Sequence, residues 1–172
     1  MPSSTVPRPN RRPGSAALLF AVLSILVFIS SAAWLWIQAP DQVPGHFKAR
    51  GQPDDWTSKA VALAVLIPVG VGVPLLLSIR WIWEKLPMSL VNIPHKDYWL
   101  ERGERGYLFD CLMEFLRITA GATALLLTSS LVMTLRVGAT MPEALTFVPT
   151  LVFLAIVGAA LWLLYRQLTP LD

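Results

Sequence analysis

Four apolar blocks, none carrying a charged side chain, constrain this chain more than anything else in it. They run from Ala16 to Gln38, Ala60 to Ile79, Ile118 to Leu135 and Ala144 to Tyr165, each 18 to 23 residues long. A helix needs roughly 20 such residues to cross a ~30 Å hydrocarbon core. A 172-residue chain that is 55% apolar would otherwise suit one globular domain, but four separate blocks point elsewhere. The expected fold class is all-α, a polytopic membrane protein of four transmembrane helices with lipid as its main surroundings.

The net charge of +3 matters less than its placement. With a cytoplasmic N-terminus, the inner segments hold nine basic residues: Arg8, Arg11, Arg12, Arg80, Lys85, Lys96, Arg102, Arg105 and Arg166. The outer segments then hold four, Lys48, Arg50, Lys59 and Arg136, with Arg117 left at the membrane edge. That bias follows the positive-inside rule and predicts both termini inside. No basic cluster with interleaved aromatics sits on a soluble domain, so nucleic acid is not an expected partner. A single cysteine, Cys111, excludes an internal disulfide and reads as a small buried apolar residue.

Residues 1–14 are rich in Pro, Ser and Arg and read as a disordered cytoplasmic tail. A signal peptide cleaved near Ser31-Ala32-Ala33 is the alternative. The 23-residue block exceeds the ~7–15 residues of a signal core and favours an uncleaved anchor. Trp34 and Trp36 fit an interfacial belt at the outer end of the first span, Trp81 and Trp83 one at the inner end of the second. In the second span, Pro68, Gly70, Gly72 and Pro74 interrupt the helix, because proline removes donors and glycine weakens the helix. The interruption reads as a kink that fits helix packing or, alternatively, lines a cavity.

Residues 84–107 form a long inner loop, in which Pro87 and Pro94 argue against one continuous helix. The third helix is expected to start near Tyr107. Its Asp110, Glu114 and Arg117 share a face, which predicts an interfacial Glu114–Arg117 pair. Arg136 to Glu143 reads as a turn, the fourth span as a packing helix rich in small residues, and the last six residues as frayed.

The outer loop, Ala39 to Lys59, holds three prolines, two glycines, a histidine and a tryptophan, and reads as an ordered cap. His46, Asp54 and Asp55 are the one cluster with metal-ligand chemistry, but a ligand spacing such as HExxH is missing, so no metal is expected. No catalytic residue or cofactor is expected either, and Thr57 and Ser58 lack a nucleophile motif.

Ala39-Pro-Asp-Gln-Val-Pro-Gly-His-Phe47 and Gly51-Gln-Pro-Asp-Asp-Trp-Thr-Ser-Lys59 resemble the two-part loop motif of the bacterial membrane domain DUF1648. Ala39 stands where that motif has leucine. Asn92-Ile-Pro-His-Lys-Asp-Tyr-Trp-Leu100 is similar to an inner-loop stretch of small members. The resemblance covers about Leu18 to Ile79 and implies a helix–loop–helix unit at residues 15–83, while the last two apolar blocks predict a second helix pair at residues 108–166. It implies a bacterial cytoplasmic-membrane location and a distant likeness to SdpI-type immunity proteins, which have further spans. The positions it carries over are Pro40, Pro44, His46, Phe47, Gly51, Pro53, Asp54, Trp56 and Lys59. Outer-loop binding of an extracellular peptide or envelope ligand is the functional expectation. Asn92, Pro94, His95, Lys96, Tyr98 and Trp99 would then contact a cytoplasmic protein. The alternative is a small homo-oligomeric transporter or channel component.

Overall fold

The computed structural model describes residues 14–47, 53–135 and 143–170. Helix α1 (Ser15–Gln38) leads into a hairpin of β1 (Gln42–Phe47) and β2 (Pro53–Ser58). Helices α2 (Lys59–Ile67) and α3 (Val73–Ser78) follow, joined through a π-helical turn at Pro68–Gly72. Two short helices, α4 (Arg80–Glu84) and α5 (Lys96–Glu101), then precede the long α6 (Arg105–Leu135) and α7 (Glu143–Leu168). Of the tail expected at 1–14 and the turn expected from Arg136 to Glu143, residues 1–13 and 136–142 lie outside the described residues, while Gly14 precedes α1 and Glu143 begins α7.

Four helical stretches are long and apolar enough to cross a bilayer: Ser15–Gln38, Lys59–Ser78, Arg105–Thr134 and Phe147–Leu168. Large apolar side chains on their outer faces are exposed, among them Leu23, Leu26, Val65, Leu151 and Leu154. Such continuous apolar surface is foreign to a water-soluble monomer. The all-α expectation holds for the spans and misses the antiparallel hairpin between the first two.

Helix α6 is the centre, packing against α1, α3 and α7. Two buried clusters lie along it. At the hairpin end, Ile25, Phe28, Leu35, Val43, Leu63 and Leu131 pack together. At the other end, Val91, Ile93, Leu108, Phe109, Met113, Leu164 and Leu168 do the same. The start of α1 reaches α6 through Arg117, which donates to the Gly14 carbonyl at 3.3 Å.

The interruption in the second span takes the form of the π turn. Pro68 and Pro74 have no N–H to give, and a π turn is one way a helix absorbs such breaks. Ser78 Oγ donates to the Pro74 carbonyl at 2.7 Å. Gly70 faces the fully buried Phe28, and a Cβ placed there would lie 2.3 Å from the ring. The turn is therefore a seat for an aromatic ring, which supports the packing reading of the kink.

The end of α7 departs from expectation. Gln167 and Leu168 are helical, and Leu168 is completely buried. Tyr107 Oη donates to the Gln167 carbonyl and Trp99 Nε1 to the Leu168 carbonyl, each at 2.9 Å. Tertiary contacts hold these two residues, which the sequence alone left frayed.

The acidic and basic groups on α6 also find other partners. Arg80 Nη1 donates to Asp110 Oδ1, and Arg80 Nε to Glu84 Oε1 at 2.6 Å. Burial works against the Arg80 charge, but its hydrogen bonds to Asp110 and Glu84 and the negative charges of the two carboxylates together outweigh it and raise its pKa. Glu114 accepts from Gln167 Nε2 at 3.1 Å rather than pairing with Arg117. Same-face spacing made a local pair available, and groups remote in sequence offered better geometry.

Candidate functional site

The hairpin is mounted on the helix ends at several points. Helix α1 ends where the Ala39 N–H donates to the Leu35 carbonyl, with Pro40 immediately after, as suits a helix stop. The Lys59 N–H donates to the Asp41 carbonyl at 2.9 Å, closing the hairpin base. Lys59 Nζ donates to the Ala39 carbonyl at 3.2 Å, lies 3.3 Å from Asp41 Oδ1, and sits 5.4 Å from the centre of the Trp36 ring. Ser58 Oγ accepts from the Val61 N–H and so caps α2. Within β1, Val43 and Pro44 are buried.

The strands pair Gln42 with Ser58, Val43 with Thr57, Pro44 with Trp56, His46 with Asp55, and Phe47 with Pro53. Register shifts flank His46, where Pro44 has no N–H to contribute and Gly45 packs closely against Thr57. The bulge turns His46 outward, its side chain 70% exposed, and its Nδ1–H donates to Asp54 Oδ1 at 2.7 Å. Asp55 Oδ1 accepts from the Trp56 N–H at 2.9 Å. Trp56 is half exposed. His46, Asp54 and Trp56 are thus presented on one hairpin, whereas Lys59 fixes its base, Pro40 follows the end of α1 and Pro44 is buried within β1. Gly51 lies outside the described residues. Among the described residues no group of three or more His, Cys, Asp or Glu side chains forms a metal-binding cluster.

At the opposite end, the inner-loop residues are mostly engaged with their own chain. Lys96 Nζ donates to the Met88 and Val91 carbonyls at 3.1 and 3.3 Å. Trp99 packs against Tyr107, ring centres 4.8 Å apart and planes tilted by 44°, while bonding Leu168. Tyr98 lies under the Arg102 guanidinium, 3.6 Å away. His95 takes a left-handed backbone (φ 54°) before α5 and meets Tyr165 at 6.0 Å. Asn92 and His95 remain exposed and Pro94 half-buried. The stretch from Asn92 to Trp99 thus staples α6 to α7, a role its composition alone did not reveal.

Exposed aromatics mark both ends. Trp34 and Trp36 stand near the hairpin, and Trp81, Trp162 and Tyr165 near the α4–α5 loop. Lys85 Nζ lies 3.7 Å from the Trp81 ring centre, and the Arg166 guanidinium 5.4 Å from that of Trp162. Aromatic belts backed by cations are what the two water–lipid boundaries favour.

Comparison with protein families adds one match: residues 20–71 fit DUF1648, a domain of unknown function. This part of the chain is a DUF1648 domain. It takes in most of α1, the hairpin, α2 and nearly all of the π turn, so the Gly70–Phe28 contact lies inside it. Comparisons with curated proteins and with solved structures returned no match. The DUF1648 domain and the four apolar helices together describe a membrane protein.

Proposed function

We propose that this DUF1648 protein is a non-enzymatic receptor module whose hairpin binds a peptide or envelope component at the membrane surface. The observation that carries this reading is the braced hairpin, which holds the His46–Asp54 pair and Trp56 outward on a fixed base. A pre-ordered surface loses little entropy on binding, and a half-exposed tryptophan is a common source of binding energy. The nine-to-four distribution of basic residues supports a hairpin facing outward, with the α4–α5 loop and both termini in the cytoplasm. Asn92 and His95 would be the groups left for a cytoplasmic partner, and immunity to a secreted peptide is one form the activity would take. The transport alternative needs the Pro68–Pro74 stretch to line a path, and the filling of the Gly70 seat by Phe28 favours a brace instead.

Display selection of peptides on the full chain in nanodiscs, with empty discs as counter-selection, tests the proposal. The expected result is enriched peptides whose affinity falls about tenfold or more in both His46→Ala and Trp56→Ala, the scale of a binding hot spot. Both variants should unfold at the native temperature, because neither side chain belongs to the buried clusters. Peptides that bind the native chain and both variants equally, or no enrichment at all, would sink it.

A further inference from the structure

Helix α1 meets the π turn of the second span at Phe28 and Gly70, close to the middle of both spans, and a groove between α1 and α2 runs from there towards the hairpin. The groove is lined by α1 residues from Phe28 to Ile37 and by Ala60, Leu63, Ala64, Ile67 and Val71. Its volume is about 600 Å³, within the range of ~300–1,000 Å³ common for small-molecule sites. Leu63 and Ala32 are buried in it, whereas Ala33 and Ala64 border it as exposed small residues.

Depth and chemistry choose between occupants. The rise from Phe28 to Ile37 covers about 14 Å at ~1.5 Å per residue. One leaflet contributes about 15 Å, half of the ~30 Å hydrocarbon core. A groove that closes at mid-membrane matches a single-leaflet acyl chain. A transmembrane helix, from a partner or a second copy, would need a seat across the full depth. At the mouth, Trp36 forms part of the wall, and Lys59 Nζ lies over its ring beside the exposed Asp41 carboxylate. The Lys59 ammonium spends two of its three N–H donors on the Ala39 carbonyl and the Asp41 carboxylate, which leaves one to offer a phosphate carrying a hydrocarbon tail.

We infer that this groove is a binding site for one phospholipid of the hairpin-side leaflet, its phosphate at Lys59 and one acyl chain between α1 and α2. The inference stands independently of peptide binding by the hairpin. The side chain at position 64 controls occupancy, because a larger residue there fills the groove without entering a buried cluster.

The test uses the full chain in nanodiscs of phosphatidylethanolamine and phosphatidylglycerol, doped with a phosphatidylethanolamine bearing a diazirine in its acyl chain. On irradiation, labelling per exposed residue should concentrate on 28–37 and 60–71, about tenfold above the outer face of α7 around Leu154 and Leu161. Native mass spectrometry of the protein released from the discs should show one retained phospholipid, lost in Ala64→Phe. Equal labelling of the groove and the α7 face would overturn the inference, as would undiminished retention in a folded Ala64→Phe. Cross-links between two copies through the groove would do the same. Should Ala64→Phe fail to fold, labelling of the native chain decides alone.

Discussion

Gly70→Ala should destabilise the protein by roughly 1–3 kcal/mol, the usual cost of forcing a methyl group into a filled site. The added Cβ would meet Cζ, Cε1 and Cε2 of Phe28 at 2.3, 2.4 and 2.7 Å. Phe28 is completely buried in the cluster at the hairpin end, so a shift of its ring away from the new methyl group would disturb that packing. Alanine's better helix propensity would return up to ~1 kcal/mol, which is too little to reverse the sign. Thermal unfolding in detergent, followed by circular dichroism, reads the loss. Phe28→Leu combined with Gly70→Ala should recover part of it, because the smaller side chain leaves room for the methyl group. Simple additivity of the two losses would show that the contact does not couple them.

Trp99→Ala should cost about 2–4 kcal/mol, somewhat below the ~3–5 kcal/mol of a fully buried aromatic, because Trp99 is only half-buried. The substitution removes the packing against Tyr107 and the hydrogen bond to the Leu168 carbonyl, two of the contacts that fix the end of α7. Trp99→Phe keeps most of the apolar contact and loses the donor. It should therefore cost about 1 kcal/mol, the net value of one hydrogen bond. Limited proteolysis near Gln167 should become faster in the alanine variant than in the phenylalanine variant. Equal cleavage in both would mean that the α5–α7 staple does not hold the helix end.

Much of this architecture is legible in the sequence because a bilayer imposes a simple rule. Runs without charge, long enough to cross it, appear as helices: three spans lie within three residues of the expected bounds, while the third belongs to a helix that starts at Arg105, near the start expected at Tyr107 and well before Ile118. Pro68 and Pro74 announced an interruption, but nothing local indicated that Gly70 between them receives a ring from α1. The hairpin was legible as an ordered cap and not as β-structure. Gln42–Phe47 contains Pro44 and Gly45 and has no regular alternation, and Pro53–Ser58 is mostly polar. What makes them strands is their mutual pairing and the Asp41–Lys59 closure, which join residues from 6 to 18 positions apart. The partners of Asp110, Glu114 and Arg117 were hidden for a related reason. Helical spacing reveals a shared face, while Arg80, Gln167 and Gly14 arrive there only through the fold. Among the candidate residues, His46, Asp54 and Trp56 were singled out by motif. The structural use of Lys96 and Trp99 required their distant acceptors to be seen.

The central claim is that the hairpin and the α4–α5 loop lie on opposite sides of a membrane, with the hairpin outward. Single cysteines at Asp55 and Asn92, both exposed positions, test it in intact cells when the buried Cys111 is replaced by serine. A membrane-impermeant maleimide should label position 55 in intact cells and position 92 only after the membrane is opened. Labelling of both positions in intact cells would contradict the four-span account, and labelling of 92 alone would invert the protein and end the receptor proposal.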